Sequence, residues 1–264
     1  MGSRSDARTE GRPPIVEVRG LDAVFGAHTV LEAVDLDVRE GEILVILGRS
    51  GCGKSTLLKH MIGLLEPERG TVRLFGADLF ALDELEAETL LRRVGVLFQY
   101  GALLNSLLVS ENVAIPLEQH TNLPRPLIDR LVASKLCLVE LGGIGHLLPS
   151  ELSGGMRKRA ALARAIALDP AILFADEPSA GLDPVTTSHL DDLLLNLRDD
   201  LAMSMVVVTH ELASIHRIAD RIAFLECGKI AFTGTVAEGK GCGVQVVEEF
   251  FKTGQLGNAR TGPT

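Results

Sequence analysis

The residues best suited to chemistry in this chain form a glycine-rich stretch, GRSGCGKST. The stretch fits the pattern G-x-x-x-x-G-K-[ST], in which backbone N–H groups of an open loop wrap the phosphates of a nucleotide. In that pattern Lys54 would reach the β- and γ-phosphates, and the hydroxyl of Ser55 would hold Mg²⁺. We therefore predict a phosphate-binding loop at these positions: Gly48, Arg49, Ser50, Gly51, Cys52, Gly53, Lys54, Ser55 and Thr56.

A second group of residues would complete such a site. In AILFADEP, Asp176 suits a water-mediated contact to Mg²⁺, and Glu177 would orient or deprotonate an attacking water. His210 and Gln99 each close an apolar run, where His210 would face a γ-phosphate and the Gln99 amide oxygen would ligate Mg²⁺ or the water. The alternative for all four residues is a structural role without chemistry. Phe25, which precedes the first glycine turn, would either stack on adenine or pack in the core.

The stretch SELSGGMRKRAALARAIALDP indicates a further anion site. Ser153 can cap its basic, alanine-rich helix, and Gly154 and Gly155 leave the backbone N–H groups at the helix start open to an anion. The stretch contains no acid, base or metal ligand that could act on the anion. The rest of such a site must therefore lie elsewhere.

Four short apolar runs supply the elements that must position these residues. They cover residues 42–48, 94–99, 171–176 and 205–210, and each ends in a polar residue. Helical patterns follow most of them, which is typical of an α/β fold with a parallel sheet covered by helices. Such sheets place their chemistry at the carboxyl ends of the strands. We therefore expect the residues that close the four runs to lie close together: Gly48, Gln99, Asp176 and His210.

The remaining elements follow from their own patterns. Residues 15–25 and 31–38 alternate apolar and polar side chains, as antiparallel strands with one exposed face do. The region from about 110 to 168 is mostly helical, with a break at NLPRP, and indicates a small helical subdomain. Residues 244–254 favour a final helix, and a loose tail follows them.

Composition limits the classes of function. The chain has 264 residues, 46% of them apolar, and a net charge of −9, whereas a free nucleic-acid binder is more often basic. The basic run Arg157-Lys158-Arg159 is interpreted as a solvated helix face. No apolar run reaches the roughly 18 residues of a membrane span. The first 14 residues, MGSRSDARTEGRPP, are interpreted as a disordered lead rather than a signal peptide.

The cysteines form no CxxC pair, so we predict neither a zinc site nor a disulfide framework and favour a reducing cytoplasm. Cys52 lies inside the phosphate-binding loop, beside Lys54 and at a helix start. Two interpretations remain open. The thiol either points away and is inert, or it is the most reactive thiol of the chain, because helix N-termini and ammonium groups stabilise thiolates.

Taken in order, these motifs resemble the ATP-binding subunit of an ABC transporter. The order is GRSGCGKS, Gln99, LSGGM, ILFADE, SAGLDP and His210. The resemblance covers an ABC ATPase domain at residues 15–251, with its helical subdomain at about 100–168 and a tail at 252–264. It implies a P-loop NTPase core of the RecA-like type, an N-terminal antiparallel β region, and hydrolysis of ATP with Mg²⁺.

The resemblance also implies a homodimer, in which two copies pair head to tail around two ATP molecules. Ser153, Gly154 and Gly155 would then hold the γ-phosphate of the ATP on the partner's loop, which explains a stretch without chemistry of its own. Asp183 matches the family's position that crosses the dimer interface. Followed by Pro184, it is also typical of a helix N-cap, and both interpretations can hold.

Two features narrow the resemblance to one subfamily. The family's usual fifth signature residue is Gln, and Met156 cannot make the hydrogen bonds of an amide. The signature stretch with Met156 and a second stretch, Phe98–Pro124, together resemble the ATPases of MCE-type lipid transporters, such as the Mla phospholipid system. The second stretch is FQYGALLNSLLVSENVAIPLEQHTNLP. That implies a place on the cytoplasmic face of the inner membrane. The implied partners are an integral-membrane permease, an MCE-domain lipid carrier and, in some systems, a STAS-domain protein. The tail matches poorly, which leaves a STAS contact open.

The same resemblance puts the permease contact on the surface that follows Gln99. Tyr100, Leu103, Leu104 and Leu107 fall on this surface, and we expect at least two of the leucines to pack in the core instead.

Two other functions stay open at this point. The ATPase of an ABC importer for a small polar solute would share every catalytic motif with this chain. A non-transport ABC protein of DNA repair or translation would carry long coiled-coil inserts, a zinc hook or tandem cassettes, and none of these is present in the sequence.

Overall fold

The computed structural model describes residues 13–253, which form ten strands and nine α-helices. The predicted lead and tail lie outside the described residues, apart from positions 13, 14, 252 and 253. The strands are β1 (Pro14–Phe25), β2 (His28–Arg39), β3 (Ile43–Gly48), β4 (Arg69–Leu74), β5 (Ala77–Asp78), β6 (Val94–Leu97), β7 (Ile172–Asp176), β8 (Ser204–Val208), β9 (Arg221–Glu226) and β10 (Lys229–Gly234). The helices are α1 (Lys54–Met61), α2 (Glu84–Leu91), α3 (Val109–His120), α4 (Arg125–Leu138), α5 (Gly154–Ala165), α6 (Pro184–Leu201), α7 (Leu212–Ile218), α8 (Val236–Gly239) and α9 (Gln245–Thr253).

The central sheet has the strand order β10-β9-β3-β8-β7-β6, and all of its strands but β10 run parallel. The four apolar runs predicted as buried strands are β3, β6, β7 and β8, which confirms the parallel α/β core. Two of these strands end earlier than predicted, β6 at Leu97 and β8 at Val208. Gln99 and His210 therefore lie two residues beyond their strands, on the connecting segments.

The hairpin of β9 and β10 was not predicted from the sequence. Its turn contains Cys227 and Gly228, which both adopt positive φ, at 47° and 77°. Such a turn favours Asn-Gly or Asp-Gly, so a Cys-Gly pair gives little signal in the sequence.

The second sheet is antiparallel, with the order β2-β1-β4-β5. The two alternating runs form β1 and β2, as predicted, and both strands extend slightly beyond the predicted limits. β4 and β5 complete the sheet and were not predicted.

The core has two parts, one on each face of the central sheet. In β3, Ile43, Val45 and Leu47 face one part, whereas Leu44 and Ile46 face the other. Because both faces are covered, β3 is apolar along its length, unlike the alternating strands of the antiparallel sheet. Burial of one such side chain stabilises the fold by about 1.5–3 kcal/mol.

The helices α3, α4 and α5 pack against one another, and their apolar side chains join the core on one face of the central sheet. They lie within the region for which the sequence predicts a helical subdomain. α9 packs Val247 and Phe250 into the same core, with the Phe250 ring 6.0 Å from that of Phe224 in β9. No helix within residues 13–253 is both long enough and apolar enough to span a bilayer.

Candidate nucleotide site

The phosphate-binding loop joins the end of β3 to the start of α1. Gly53 is the N-cap of α1 with φ of 105°, and a Cβ at this position would lie 2.8 Å from Leu31 Cδ2 in β2. A Cβ on Gly48 would lie 2.1 Å from the main-chain oxygen of Leu225 in β9. Both positions require glycine, because the backbone of the loop packs directly on one strand of each sheet.

Lys54 and Ser55 begin α1, at the positive end of the helix dipole. Nζ of Lys54 donates to the main-chain oxygens of Gly48 at 2.9 Å and Arg49 at 3.0 Å, so the ammonium group lies on the loop. Oγ of Ser55 donates to Oδ1 of Asp176 at 3.2 Å, which joins the loop to the end of β7. An ammonium, a hydroxyl and a carboxylate therefore meet at this loop, as a site for a phosphate and a cation requires.

Glu177 and His210 follow two neighbouring strands, β7 and β8. Nδ1 of His210 donates to Oε1 of Glu177 at 2.9 Å. The side chain of Glu177 is 13% exposed and that of His210 is 60% exposed. The second carboxylate oxygen of Glu177, Oε2, is buried and has no hydrogen-bond partner among the described residues. One oxygen is thus held in place by His210, while the other is enclosed by the protein.

Gln99 lies on the segment that connects β6 to the helices. Its main-chain oxygen accepts a hydrogen bond from Nζ of Lys158 in α5. Gln99 also lines a cavity of about 450 Å³ together with Gly154 at the start of α5 and Gly181 before α6. No residue of the phosphate-binding loop lines this cavity. The structure places Gln99 next to the glycine-rich start of α5.

Ser153 caps α5, as predicted, because its Oγ accepts a hydrogen bond from the N–H of Met156 at 3.3 Å. Ser153 and Gly154 are exposed, so a second molecule can reach the start of the helix. A Cβ on Gly155 would lie 2.7 Å from Cγ2 of Thr186 in α6, so glycine is needed where the two helices approach each other.

Asp183 is the N-cap of α6, and Pro184 is its first residue, which confirms the capping interpretation. Its Oδ1 accepts from the N–H groups of Val185 and Thr186, and its Oδ2 accepts from Oγ1 of Thr186 at 2.5 Å. The hydrogen bonds from Thr186 keep the pKa of the Asp183 carboxyl below its usual value. Asp183 is exposed, so the cap leaves it open to contact with another molecule.

Phe25 ends β1 with 48% of its surface exposed. The alternative of core packing is therefore wrong, since a core aromatic residue would be almost fully covered. Stacking on adenine stays a prediction.

Cys52 is buried, and burial raises the pKa of its thiol against the opposing effect of the Lys54 ammonium. The hypothesis that Cys52 is the most reactive cysteine is therefore wrong in its physical basis, because the predicted field does not outweigh the loss of solvation. The interpretation of an inert thiol is favoured instead. Cys137 and Cys227 are the exposed cysteines.

The surface after Gln99 is more exposed than predicted. Tyr100 is 90% exposed and Leu104 is 50% exposed. Leu103 and Leu107 are partly buried, and only Leu103 packs against the core, so the expectation of two core leucines is wrong. The reason is a hydrogen-bonded loop, in which the buried Asn112 of α3 pairs with the backbone of Leu104 and Leu107 and holds the segment outside the core.

Sequence reasoning missed three charged residues at this site. Lys158 was interpreted as part of a solvated helix face, but only 9% of it is exposed and burial lowers its pKa. Arg164, also on α5, donates to two main-chain oxygens of the segment after Gln99. Glu226, at the end of β9, pairs with Arg49 of the loop at 3.7 Å. Helical periodicity gives a signal for Lys158 and Arg164, which lie three residues before and after the fully buried Ala161, and none for Glu226.

Residues 31–180 match the protein family described as "ABC transporter". The "Probable ribonucleotide transport ATP-binding protein mkl" of Mycobacterium leprae is 43% identical over 219 residues, which are 82% of this chain and 63% of that relative. This chain therefore spans less than two thirds of the length of that relative. The "Intermembrane phospholipid transport system ATP-binding protein MlaF" of Haemophilus influenzae is 41% identical over 221 residues, 84% of each chain. The "Methionine import ATP-binding protein MetN" of Brucella abortus is 39% identical over 84% of this chain and 60% of that relative.

Solved structures show the same fold. The ATP-binding cassette MJ0796, in a dimeric post-hydrolysis state bound to ADP and Pi, matches with a TM-score of 0.76 and 30% identity. The match covers 84% of this chain and 98% of that chain.

Proposed function

Because this chain belongs to the ABC transporter family and is an ATPase, we propose that it is the subunit that drives phospholipid transport in the cell envelope. The observation that carries the ATPase chemistry is the meeting of two pairs, Ser55 with Asp176 and Glu177 with His210, at the carboxyl ends of adjacent strands. The relative MlaF, which aligns over 84% of both chains, supports a phospholipid as the transported substrate.

In this proposal the phosphates of ATP lie along the backbone of the loop, and Lys54 donates to the β- and γ-phosphates in place of its present carbonyl partners. Phe25, exposed at the end of β1, stacks on the adenine. The Ser55 hydroxyl and the Asp176 carboxylate, 3.2 Å apart, are the hard oxygen ligands that suit Mg²⁺. When bound, Mg²⁺ neutralises charge on the phosphates.

Glu177 acts as the base toward the attacking water. His210 holds its Oε1, and this contact fixes the carboxylate that accepts the proton of the water. His210 itself is 60% exposed, which leaves the ring free to reach the γ-phosphate through its other nitrogen. Gln99 adds an amide oxygen that orients the water or ligates Mg²⁺.

The active unit is a homodimer, in which the exposed start of α5 completes the site on the partner. Ser153, Gly154 and Gly155 bind the γ-phosphate of the ATP held by the partner's loop, and Asp183 contacts the partner across the interface. The dimeric state of the ATP-binding cassette MJ0796 supports this arrangement. Within one chain, the cavity that Gly154 lines at the start of α5 includes no residue of the loop, which agrees with a site made by two chains.

We further propose that the dimer works on the cytoplasmic face of the inner membrane, bound to an integral-membrane permease. Tyr100 and Leu104, large exposed side chains on the segment after Gln99, are the contacts offered to the permease. An MCE-domain lipid carrier and, in some systems, a STAS-domain protein would complete the transporter. A nucleic acid is not among the proposed partners.

A second candidate is the ATPase of an importer for a small polar solute. The methionine importer subunit MetN supports it, with 39% identity over 84% of this chain. The importer would use the same ATPase chemistry and differ in the permease and the transported molecule.

The test is purification of the chain from membranes with its bound subunits, followed by reconstitution in nanodiscs. For the lipid proposal, we expect copurified phospholipid and an MCE-domain protein, and ATP turnover that depends on the phospholipid present. Copurification of a solute-binding protein, with turnover stimulated by that protein, would favour the importer and contradict the lipid proposal.

A further inference from the structure

Lys158 has a place in the structure that the proposed function does not use. It lies on α5, five residues after Ser153, and is buried although its neighbour Arg157 is exposed. Its Nζ donates to the main-chain oxygen of Gln99 and, at 3.4 Å, to the main-chain oxygen of Glu177. One ammonium group therefore joins α5 to the two segments that carry the proposed base and the proposed water ligand.

The backbone of Glu177 needs such support. Its φ is 45°, a left-handed conformation that costs free energy in any residue other than glycine. The N–H of Glu177 donates to Val208 at 2.9 Å, and its main-chain oxygen accepts from Ala180 at 3.1 Å as well as from Lys158. These contacts set the direction of the carboxylate, so the loss of one of them loosens the residue on which hydrolysis depends.

The rest of α5 holds the segment after Gln99 in the same way. Nη1 of Arg164 donates to the main-chain oxygen of Ala102 at 2.6 Å, and Nη2 donates to that of Gly101 at 2.8 Å. A Cβ on Gly101 would lie 3.1 Å from Cβ of Ala161. Since positions 158, 161 and 164 follow the helical spacing of three, the segment lies along one face of α5.

The charge of Lys158 argues against a role in packing alone. Among residues 13–253, no carboxylate forms an ion pair with it, and Glu177 and Asp176 stabilise its charge only through space. Burial of an ammonium group without a direct ion-pair partner is costly, and an apolar side chain of the same length would avoid that cost.

We propose that Lys158 is a positioning residue that ties the segment after Gln99 to Glu177 and thereby holds the base in its working orientation. The inference rests on the roles of Gln99 and Glu177 given in the proposed function. It concerns ATP turnover only, so it does not depend on which molecule is transported.

The experiment compares four proteins: the wild-type chain, Lys158→Met, Lys158→Arg and, as a control for a lost positive charge, Lys59→Met on the exposed side of α1. ATP affinity and kcat are measured separately, with thermal unfolding as a check of the fold. We expect Lys158→Met to bind ATP within about threefold of wild type and to lose at least about tenfold in kcat, because small displacements of a catalytic group are costly. Lys158→Arg should recover most of the rate, and Lys59→Met should match wild type.

A double variant with Glu177→Gln tests whether Lys158 acts through Glu177. In that background the base is already absent, so Lys158→Met should add little further loss. An equal loss in both backgrounds, a loss of ATP affinity with unchanged kcat, or full activity of Lys158→Met would overturn the proposal. Should Lys158→Met not fold, Lys158→Gln keeps a donor without the charge, and we expect a smaller loss of kcat with unchanged affinity. Full activity of Glu177→Gln alone would overturn both this inference and the role of Glu177.

Discussion

The carboxylate of Glu177 has two oxygens in different situations: one is hydrogen-bonded to His210, and the other is buried and has no partner within residues 13–253. Glu177→Gln keeps the size and the hydrogen bonding of the side chain but removes the base. We expect the variant to bind ATP, to accumulate as a nucleotide-bound dimer, and to lose about 10²–10⁴ in kcat. Single-turnover hydrolysis and size-exclusion chromatography check this prediction. Near-normal turnover of the variant in the assembled transporter would show that Glu177 is not the general base.

The exposed N-cap Ser153 gives a second prediction at the residue scale. Ser153→Arg places a long cation where the partner's γ-phosphate should bind and also removes the cap of α5, which costs about 1 kcal/mol. We expect ATP binding to the chain's own loop to persist while dimer closure and turnover are lost. Ser153→Ala is the matched control, because it removes the cap without blocking the site. A closed dimer formed by Ser153→Arg would contradict the site made by two chains.

Sequence motifs indicated the residues that meet at the strand ends because ligand chemistry restricts residue type and spacing. The Ser55–Asp176 and Glu177–His210 contacts agree with that prediction. The environment of each side chain was harder to predict. Lys158 and Cys52 are buried and Tyr100 is exposed because of how segments distant in sequence pack around them, and single-sequence patterns do not contain that information.

At the scale of elements, the contact between α6 and α7 carries a buried acid, Asp191. Burial raises its pKa from the ordinary value of 3.8 to about 6, helped by the charges of Glu211 and Asp192 and opposed by Ser214 and Arg217. The folded chain therefore binds more protons than the unfolded chain between about pH 4 and pH 6. Stability falls as the pH rises through this window, and the full penalty remains above it.

Asp191→Asn removes that ionisation and should raise the free energy of unfolding at pH 8 by about 1 kcal/mol. The gain should shrink as the pH is lowered from 6 to 5, because wild-type Asp191 becomes neutral. Thermal unfolding at several pH values measures this gain in stability. Glu84→Gln, which removes an exposed acid on α2, is the control. A gain that does not change with pH would show that ionisation is not the cause.

Elements with strong periodicity were predicted better than those that depend on the sheets around them. The buried strands β3, β6, β7 and β8 were predicted because parallel strands covered on both faces are continuously apolar. The short strands β4 and β5 and the hairpin of β9 and β10 were missed. β4 pairs with β1 and β9 pairs with β3, which are partners distant in sequence, and the Cys-Gly turn of the hairpin gives little signal.

For the whole molecule, the proposed dimer, in which the loop of one chain faces the start of α5 of the other, would make activity depend on association. We expect the isolated chain to bind Mg-ATP at every protein concentration tested but to hydrolyse it weakly. The hydrolysis rate per chain should rise with protein concentration. Turnover measured from nanomolar to micromolar enzyme checks this. A rate that stays proportional to enzyme and undiminished at nanomolar concentration would count against an obligate dimer.

The close packing of Gly53 on Leu31 and of Gly48 on Leu225 has a further consequence, because the loop keeps its shape only while both sheets are folded. Local opening of the antiparallel sheet and nucleotide binding should therefore exclude each other. At ATP concentrations about 100 times the Kd, mass action should disfavour that opening by about 2.7 kcal/mol. Cleavage of β1 and β2 by a protease should slow by about two orders of magnitude, and unchanged cleavage would show that the sheet opens without disturbing the loop. The rate of protease cleavage in the antiparallel sheet would then report how much of the protein has nucleotide bound, although most of that sheet lies outside the phosphate-binding motif.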